Sequence, residues 1–231
     1  VTAQSFPSEA DPDTGSASDA LPPTPPGAGP ARPAIILVRH GETEWSQLGR
    51  HTGHTDIPLT AAGEEQARLT ARTISALLST DRPSRVVSSP RVRALLTAKL
   101  AGFSPDEITD EVAEWDYGDY EGLTSPQIQA TVPNWTIWSH GTSGGENASA
   151  VTARIDRFLS RMSCHYAMAP VLVFTHGHAS RCIAARWLDE PVSAGRHYWL
   201  GTGGVSCLGH EHQRPVIQRW NLDSTVLLSG E

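Results

Sequence analysis

Two apolar runs, far apart in the chain, end in the same way. Ala34-Ile35-Ile36-Leu37-Val38 leads into Arg39-His40-Gly41, and Val171-Leu172-Val173-Phe174 leads into Thr175-His176-Gly177. Short unbroken apolar runs of this kind read as strands buried on both faces, as in a parallel sheet. Parallel strands bring their carboxyl ends to one edge, and that edge is where open α/β sheets hold ligands. His40 and His176 are therefore expected to converge there. Glycine after each histidine lets the backbone turn sharply and come close to a ligand. In the first run an imidazole stands beside a guanidinium. That pair suits phosphate, since one group can attack phosphorus while the other neutralises oxygens.

The segments between these runs alternate in character. A polar loop spans residues 41–58, and a helix is expected from Thr60, with Thr60 as its N-cap and Glu64 and Glu65 in its positive first turn. A short strand follows over residues 85–87. Ser89-Pro90 is then expected to start a helix, with serine capping and proline in the first turn. Residues 146–162 read as an amphipathic helix, and another helix runs through Ile183 and Trp187. Val205 to Leu208 and Val216 to Trp220 read as two closing strands joined by a polar turn. This alternation predicts an α/β fold, a three-layer α/β/α sandwich around a mostly parallel central sheet.

Residues 1–33 stand apart. They hold 8 of the chain's 17 prolines, only one aromatic residue, Phe6, and mostly acidic charge, so they cannot bury enough apolar surface to fold. A disordered proline-rich tail is expected there, with one domain over residues 34–231. The tail has neither the basic start nor the apolar run of a secretory signal, and no stretch approaches a membrane span. Three cysteines without metal or redox spacing fit a reducing, cytoplasmic setting. A net charge of −7 argues against a nucleic-acid surface but leaves room for a locally basic pocket. The partners expected are a small phosphorylated substrate, no nucleic acid and no membrane, with a homodimer left open.

Two further pieces belong with the strand ends. Ser88-Ser89-Pro90 leads into Arg91 and Arg93 at a helix start, a position that attracts anions. The run Glu114-Trp115-Asp116-Tyr117-Gly118-Asp119-Tyr120-Glu121-Gly122 puts a carboxylate between aromatic rings, where partial desolvation raises its pKa toward general-acid range. His176-Gly177-His178, with His51 and His54, could also be read as metal ligands, but no carboxylate stands at a motif spacing. His197, His210 and His212 read as surface or structural. Trp115, Tyr117, Tyr120, Trp135 and Trp138 read first as core, with some able to line a pocket mouth.

Together these pieces resemble the histidine phosphatase superfamily, the phosphoglycerate mutase-like fold. The resemblance rests on Arg39-His40-Gly41 with Glu42-Thr43-Glu44-Trp45, and on Arg50-His51-Thr52-Gly53 through Asp56, Leu59-Thr60 and Gly63. It extends to Ser88-Ser89-Pro90 with Arg93-Ala94, to Glu114 four residues before Gly118, and to Thr175-His176-Gly177-His178. It covers about residues 34–222. Trp45-Ser46, Glu114-Trp115 and Asp119-Tyr120-Glu121-Gly122 are similar to the branch with sedoheptulose bisphosphatase-type enzymes and actinobacterial acid phosphatases.

The resemblance implies the roles. His40 is the nucleophile that forms a phosphohistidine, and Arg39, Arg93 and His176 stabilise charge on the transferred phosphoryl group. Glu114 is the general acid and then the base for water. Ser46, Thr52, Gly53 and Gly177 join Arg39, Arg93 and His176 in binding substrate. No metal and no cofactor are implied. Ser46 stands where the mutases carry asparagine, which puts mutase-like geometry in doubt. No Lys or Arg lies between Lys99 and Arg154, where a bisphosphoglycerate mutase would need cations for a second anionic group. Missing partners of that kind forfeit about 1.5–3 kcal/mol each. The expected activity is thus metal-independent phosphomonoester hydrolysis on small phosphorylated metabolites, of histidine acid type, with an acidic optimum. Phosphoglycerate mutase and a non-catalytic phospho-ligand binder are the alternatives. Specificity is expected in the loops over residues 118–145.

Overall fold

The computed structural model describes residues 32–78 and 82–224. The expected tail falls almost wholly outside these residues. Six strands form one sheet: β1 (Ile35–Arg39), β2 (Arg85–Ser88), β3 (Glu107–Ile108), β4 (Val171–Thr175), β5 (Val205–Glu211) and β6 (Arg214–Leu222). Their order is β3-β2-β4-β1-β5-β6. The pairings β1 with β4, β4 with β2 and β2 with β3 are parallel, whereas β5 pairs antiparallel with both β1 and β6. The sheet is therefore mixed, parallel through its centre and antiparallel at one side. The two closing strands are joined by a tight turn in which His212 and Gln213 take positive φ, and such a hairpin can only be antiparallel.

Successive residues of a strand face opposite sides, and the two cores follow that rule. Ile35, Leu37, Val171 and Val173 meet the helices α6 (Ala148–Met168) and α7 (Gly177–Trp187) through Ile155, Phe158, Cys182 and Ile183. Ile36, Val38, Leu172 and Phe174 meet α2 (Ala61–Leu78) and α3 (Val92–Leu100) through Ile74, Leu78 and Ala98. This is the expected three-layer sandwich. Three short helices complete it: α1 (Glu44–Gln47), α4 (Ser125–Gln129) and α5 (Ile137–His140).

Local chemistry moves several boundaries. Thr60 does cap α2, accepting the Gly63 N–H at 3.0 Å. Ser89 does not cap α3. That helix starts later, with Arg91 at its N-cap and without a side-chain cap, and the Ser89 hydroxyl instead meets His176. Residues 146–162 were expected as helix, yet α6 begins at Ala148 because Asn147 caps it, accepting the Ala150 N–H at 2.9 Å. Glu146 is thereby left outside the helix, where it anchors a loop. Gly41 packs so tightly against α2 that a Cβ there would lie 2.1 Å from the Gly63 carbonyl oxygen, which fixes the turn directly after His40.

Candidate active site

The parallel register places the two histidines side by side. Arg39 of β1 stands opposite Thr175 of β4, so the next residues, His40 and His176, leave the sheet together. Their ring centroids are 5.2 Å apart, edge to face. The neighbouring strand β2 delivers Ser88 and Ser89 to the same edge, and α3 starts from there.

His40 is buried, and its Nδ1 lies 2.7 Å from the Gly41 carbonyl oxygen. A carbonyl only accepts, so Nδ1 carries the proton and Nε2 keeps its lone pair. Burial, and then the guanidinium groups of Arg93 and Arg39, hold His40 well below the ordinary histidine range. The ring is thus uncharged, with the lone pair of Nε2 unprotonated, in a cationic setting.

The two arginines differ in how they are held. Arg93 is fully buried. Its Nε donates to His176 Nδ1 at 3.2 Å, and its terminal nitrogens donate to the carbonyls of Thr55, Thr52 and Gly53 at 2.8, 2.9 and 3.1 Å. Four of its five N–H donors are thus engaged by protein. Arg39 donates from one terminal nitrogen to the Leu200 carbonyl, and its enclosed Nε has no protein partner. Its guanidinium also lies against Gly177, where a Cβ would come within 3.3 Å of Arg39 Cζ.

His176 is completely buried, with Nε2 2.7 Å from Ser89 Oγ. Because Arg93 Nε can only donate, Nδ1 of His176 accepts and Nε2 carries the proton to Ser89. Burial, and then Arg93, keep this ring neutral as well. Both of its nitrogens therefore face protein groups. In α7, the His178 and Ala179 amides donate to Glu114 and the Ser180 amide to the His176 carbonyl. The Gly177 N–H has no protein acceptor among the described residues, so it is the first-turn amide available to an anion.

Glu114 is half-buried, and the surroundings of its carboxylate differ from the expectation. Its oxygens accept N–H bonds from Trp115, His178 and Ala179 at 2.9, 3.0 and 2.9 Å, which the aromatic bracket alone did not anticipate. The positive end of α7 draws the carboxylate in. A buried ion pair fixes the loop that carries it. Arg154 donates to both oxygens of Glu146 and to the carbonyls of Glu111 and Ala113, while Glu146 accepts the Asp116 N–H. Gly118 takes a φ of +52°, and a Cβ there would lie 2.2 Å from the Ser143 carbonyl oxygen, so the two loops close on each other only with glycine.

Three expected substrate contacts are used otherwise here. The Ser46 hydroxyl donates to the Thr43 carbonyl and accepts the Thr43 N–H, forming a capping box on α1. The Thr52 hydroxyl donates to the Arg50 carbonyl. The Gly53 N–H donates to the Glu121 carboxylate, which also accepts from the Thr55 N–H. A carboxylate thus occupies the Gly53 amide that the resemblance assigned to substrate.

Of the neighbouring residues, Arg181 was not singled out in the sequence, whereas Tyr117 and His178 were named there without a substrate-binding assignment. Arg181 lies one α7 turn beyond Gly177, over the Trp138 ring at 4.6 Å, and its charge reaches Arg39 and His178. Tyr117 is buried and bonded to His178 Nδ1 at 2.5 Å. The one available signal was the second histidine of Thr175-His176-Gly177-His178, weighed only as a chelator. Among the described residues, no three His, Cys, Asp or Glu side chains converge as metal ligands. No helix among them is long and apolar enough to cross a membrane.

The chain is similar to known proteins in sequence and in fold. The chain is 44% identical over 178 residues to an acid phosphatase of Mycobacterium tuberculosis, covering 77% of this chain and 87% of that protein. It is 34% identical over 187 residues to sedoheptulose 1,7-bisphosphatase of Saccharomyces cerevisiae, covering 69% of each. A solved structure of an open-reading-frame product of Mycobacterium tuberculosis aligns with a TM-score of 0.80 and 42% identity, over 82% of this chain and 97% of that one. With two histidines, two arginines and a glutamate at one sheet edge, and a family profile matching residues 35–223, the chain belongs to the histidine phosphatase superfamily, branch 1.

Proposed function

We propose that the chain is a phosphomonoesterase that works through a phosphohistidine on His40. The observation that carries this is the bond from His40 Nδ1 to the Gly41 carbonyl, which leaves Nε2 unprotonated between two guanidinium charges. Arg39 and the Gly177 N–H receive the phosphoryl oxygens, assisted by the remaining N–H of Arg93. His40 Nε2 attacks phosphorus as the bond to the ester oxygen breaks, and protonated Glu114 gives its proton to the departing alcohol. The Glu114 carboxylate then takes a proton from water, whose oxygen attacks phosphorus. Phosphate leaves, and His40 and Glu114 return to their starting forms.

Two further observations support an acid-type enzyme. A nucleophile held below the ordinary histidine range stays unprotonated in mild acid. Acid phosphatase is also the name of the 44% identical relative. Small phosphorylated metabolites, sugar phosphates among them, are the proposed substrates.

The test is phosphate release from p-nitrophenyl phosphate and sugar phosphates, with 3-phosphoglycerate isomerisation assayed in parallel. Wild type is expected to release phosphate without a metal requirement, and His40→Ala to lose at least about 10⁴-fold. Isomerisation without free phosphate would sink the hydrolase reading, and unchanged release by His40→Ala would sink the phosphohistidine.

A further inference from the structure

His178 follows the site at the start of α7, and nothing in the mechanism above uses its ring. Its main-chain N–H is bonded to Glu114 at 3.0 Å, so it lies directly beside the group that meets the leaving alcohol. Its Nδ1 is 2.5 Å from the Tyr117 hydroxyl. The proton in that bond can be assigned. The Tyr117 hydroxyl has no other partner among the described residues, so a tyrosine that accepted here would leave its own hydrogen buried without an acceptor. Such an orphan costs about 1–3 kcal/mol. Tyr117 therefore donates, and burial followed by the Glu114 charge keeps the phenol protonated. Nδ1 of His178 accepts. Burial, then Arg181, His51 and Arg39, keep this ring neutral, so its single proton sits on Nε2.

That Nε2–H has no protein acceptor among the described residues. It is not among the enclosed side-chain polar atoms without a partner either; among the described residues those are Arg39 Nε, Arg91 Nε and Ser180 Oγ. It therefore opens to accessible space. The ring is held by Trp138, at 5.0 Å between centroids, and by Tyr117 and His51 at 6.0 and 6.2 Å. A rigid, uncharged donor is thus fixed on the residue whose main-chain N–H meets Glu114. It matches a neutral oxygen on the leaving group better than a second anion, which Arg181 would serve more strongly.

Resting on the phosphatase reading, we propose that His178 is a specificity-determining residue whose Nε2–H binds a hydroxyl of the leaving alcohol. It favours polyol and sugar phosphates that carry a hydroxyl near the ester carbon, and Tyr117 is the positioning residue that fixes its tautomer.

Glycerol phosphate and p-nitrophenyl phosphate separate the effects, since only the former leaving group carries hydroxyls. His178→Asn, which lacks a donor at the Nε2 position, is expected to raise KM for glycerol phosphate about three- to tenfold and leave p-nitrophenyl phosphate within twofold. His178→Gln, whose amide reaches that position, should recover most of the loss. Tyr117→Phe should show the same selective rise. Equal losses on both substrates would reduce His178 to a structural role and overturn the proposal. Ring nitrogen NMR of His178 supplies a readout independent of turnover. An Nε2–H tautomer is expected, and an Nδ1–H tautomer would overturn the assignment. Calorimetry separates this proposal from the phosphatase reading. His178→Asn should weaken glycerol phosphate binding and spare inorganic phosphate even if wild type proves unable to hydrolyse either ester, whereas equal weakening would refute it.

Discussion

The end of β1 and the start of α3 each bring an arginine to His40, but the two are built for different tasks. Arg93 is enclosed and gives four donors to the protein, three of them to backbone carbonyls of residues 52–55. Arg39 gives one donor to a carbonyl and keeps an enclosed Nε unpartnered. One arginine holds the loop and the second histidine in place. The other makes a single protein hydrogen bond, and the proposed function gives it the phosphoryl oxygens. Equal charge beside the same histidine therefore does not mean equal anchoring.

Substitution by methionine tests the difference. The largest expected effect is Arg93→Met, which strands three carbonyls and the His176 Nδ1. It should cost about 3–5 kcal/mol in chemical denaturation, as for a broken buried polar network, and lower kcat/KM by roughly 10²–10³. Arg39→Met should lower kcat/KM by a similar factor, yet change stability by less than about 1 kcal/mol. Relieving a buried donor without an acceptor offsets much of what is lost with Leu200. Equal destabilisation by both variants would erase the comparison, and an active Arg39→Met would reverse it.

A further test, by pH rather than by substitution, concerns the histidines of this region. His40, His176 and His178 are held well below the ordinary range, and His51 is lowered to about 4, in each case chiefly by burial. The unfolded chain then binds protons below pH 6.5 that the folded chain does not. Stability should fall as pH drops from about 6.5 toward 4, by up to about 1.4 kcal/mol per unit for each histidine. Denaturation midpoints at pH 7, 6 and 5 give the slope. A flat profile would mean that these rings are protonated in the folded protein, contrary to the uncharged nucleophile.

Much of this site was legible from residue order. The two strands ending in His-Gly predicted their shared edge, because parallel pairing leaves few alternatives. Arg39, His40, Arg93, Glu114 and His176 do meet there. What was not legible is where their hydrogen bonds go. Ser46 turned to its own helix cap, Thr52 to Arg50, and Gly53 to Glu121. Nothing in the spacing marks Glu121, one of several acids in its run, as the partner of amides some 68 residues earlier. The aromatic bracket around Glu114 was equally local in origin, whereas the amides that meet its carboxylate are partly those of α7.

The sequence by itself determined the layers, the parallel centre of the sheet and the family of the chain. The layers and the parallel centre follow from local patterns, apolar runs and helical spacing, and the family from the resemblance of its ordered motifs. Only the tertiary structure decided which donors are engaged and which stay open. Arg39 and Arg93 are the same residue type, and their difference lies in carbonyls that long-range packing does or does not bring within reach. The same holds for His176 and His178, two positions apart. One ring has both nitrogens bonded to protein, and the other has only its Nδ1 so bonded among the described residues. Hydrogen bonds require partners within about 3 Å at a defined angle, and that condition is met or missed in space rather than along the chain.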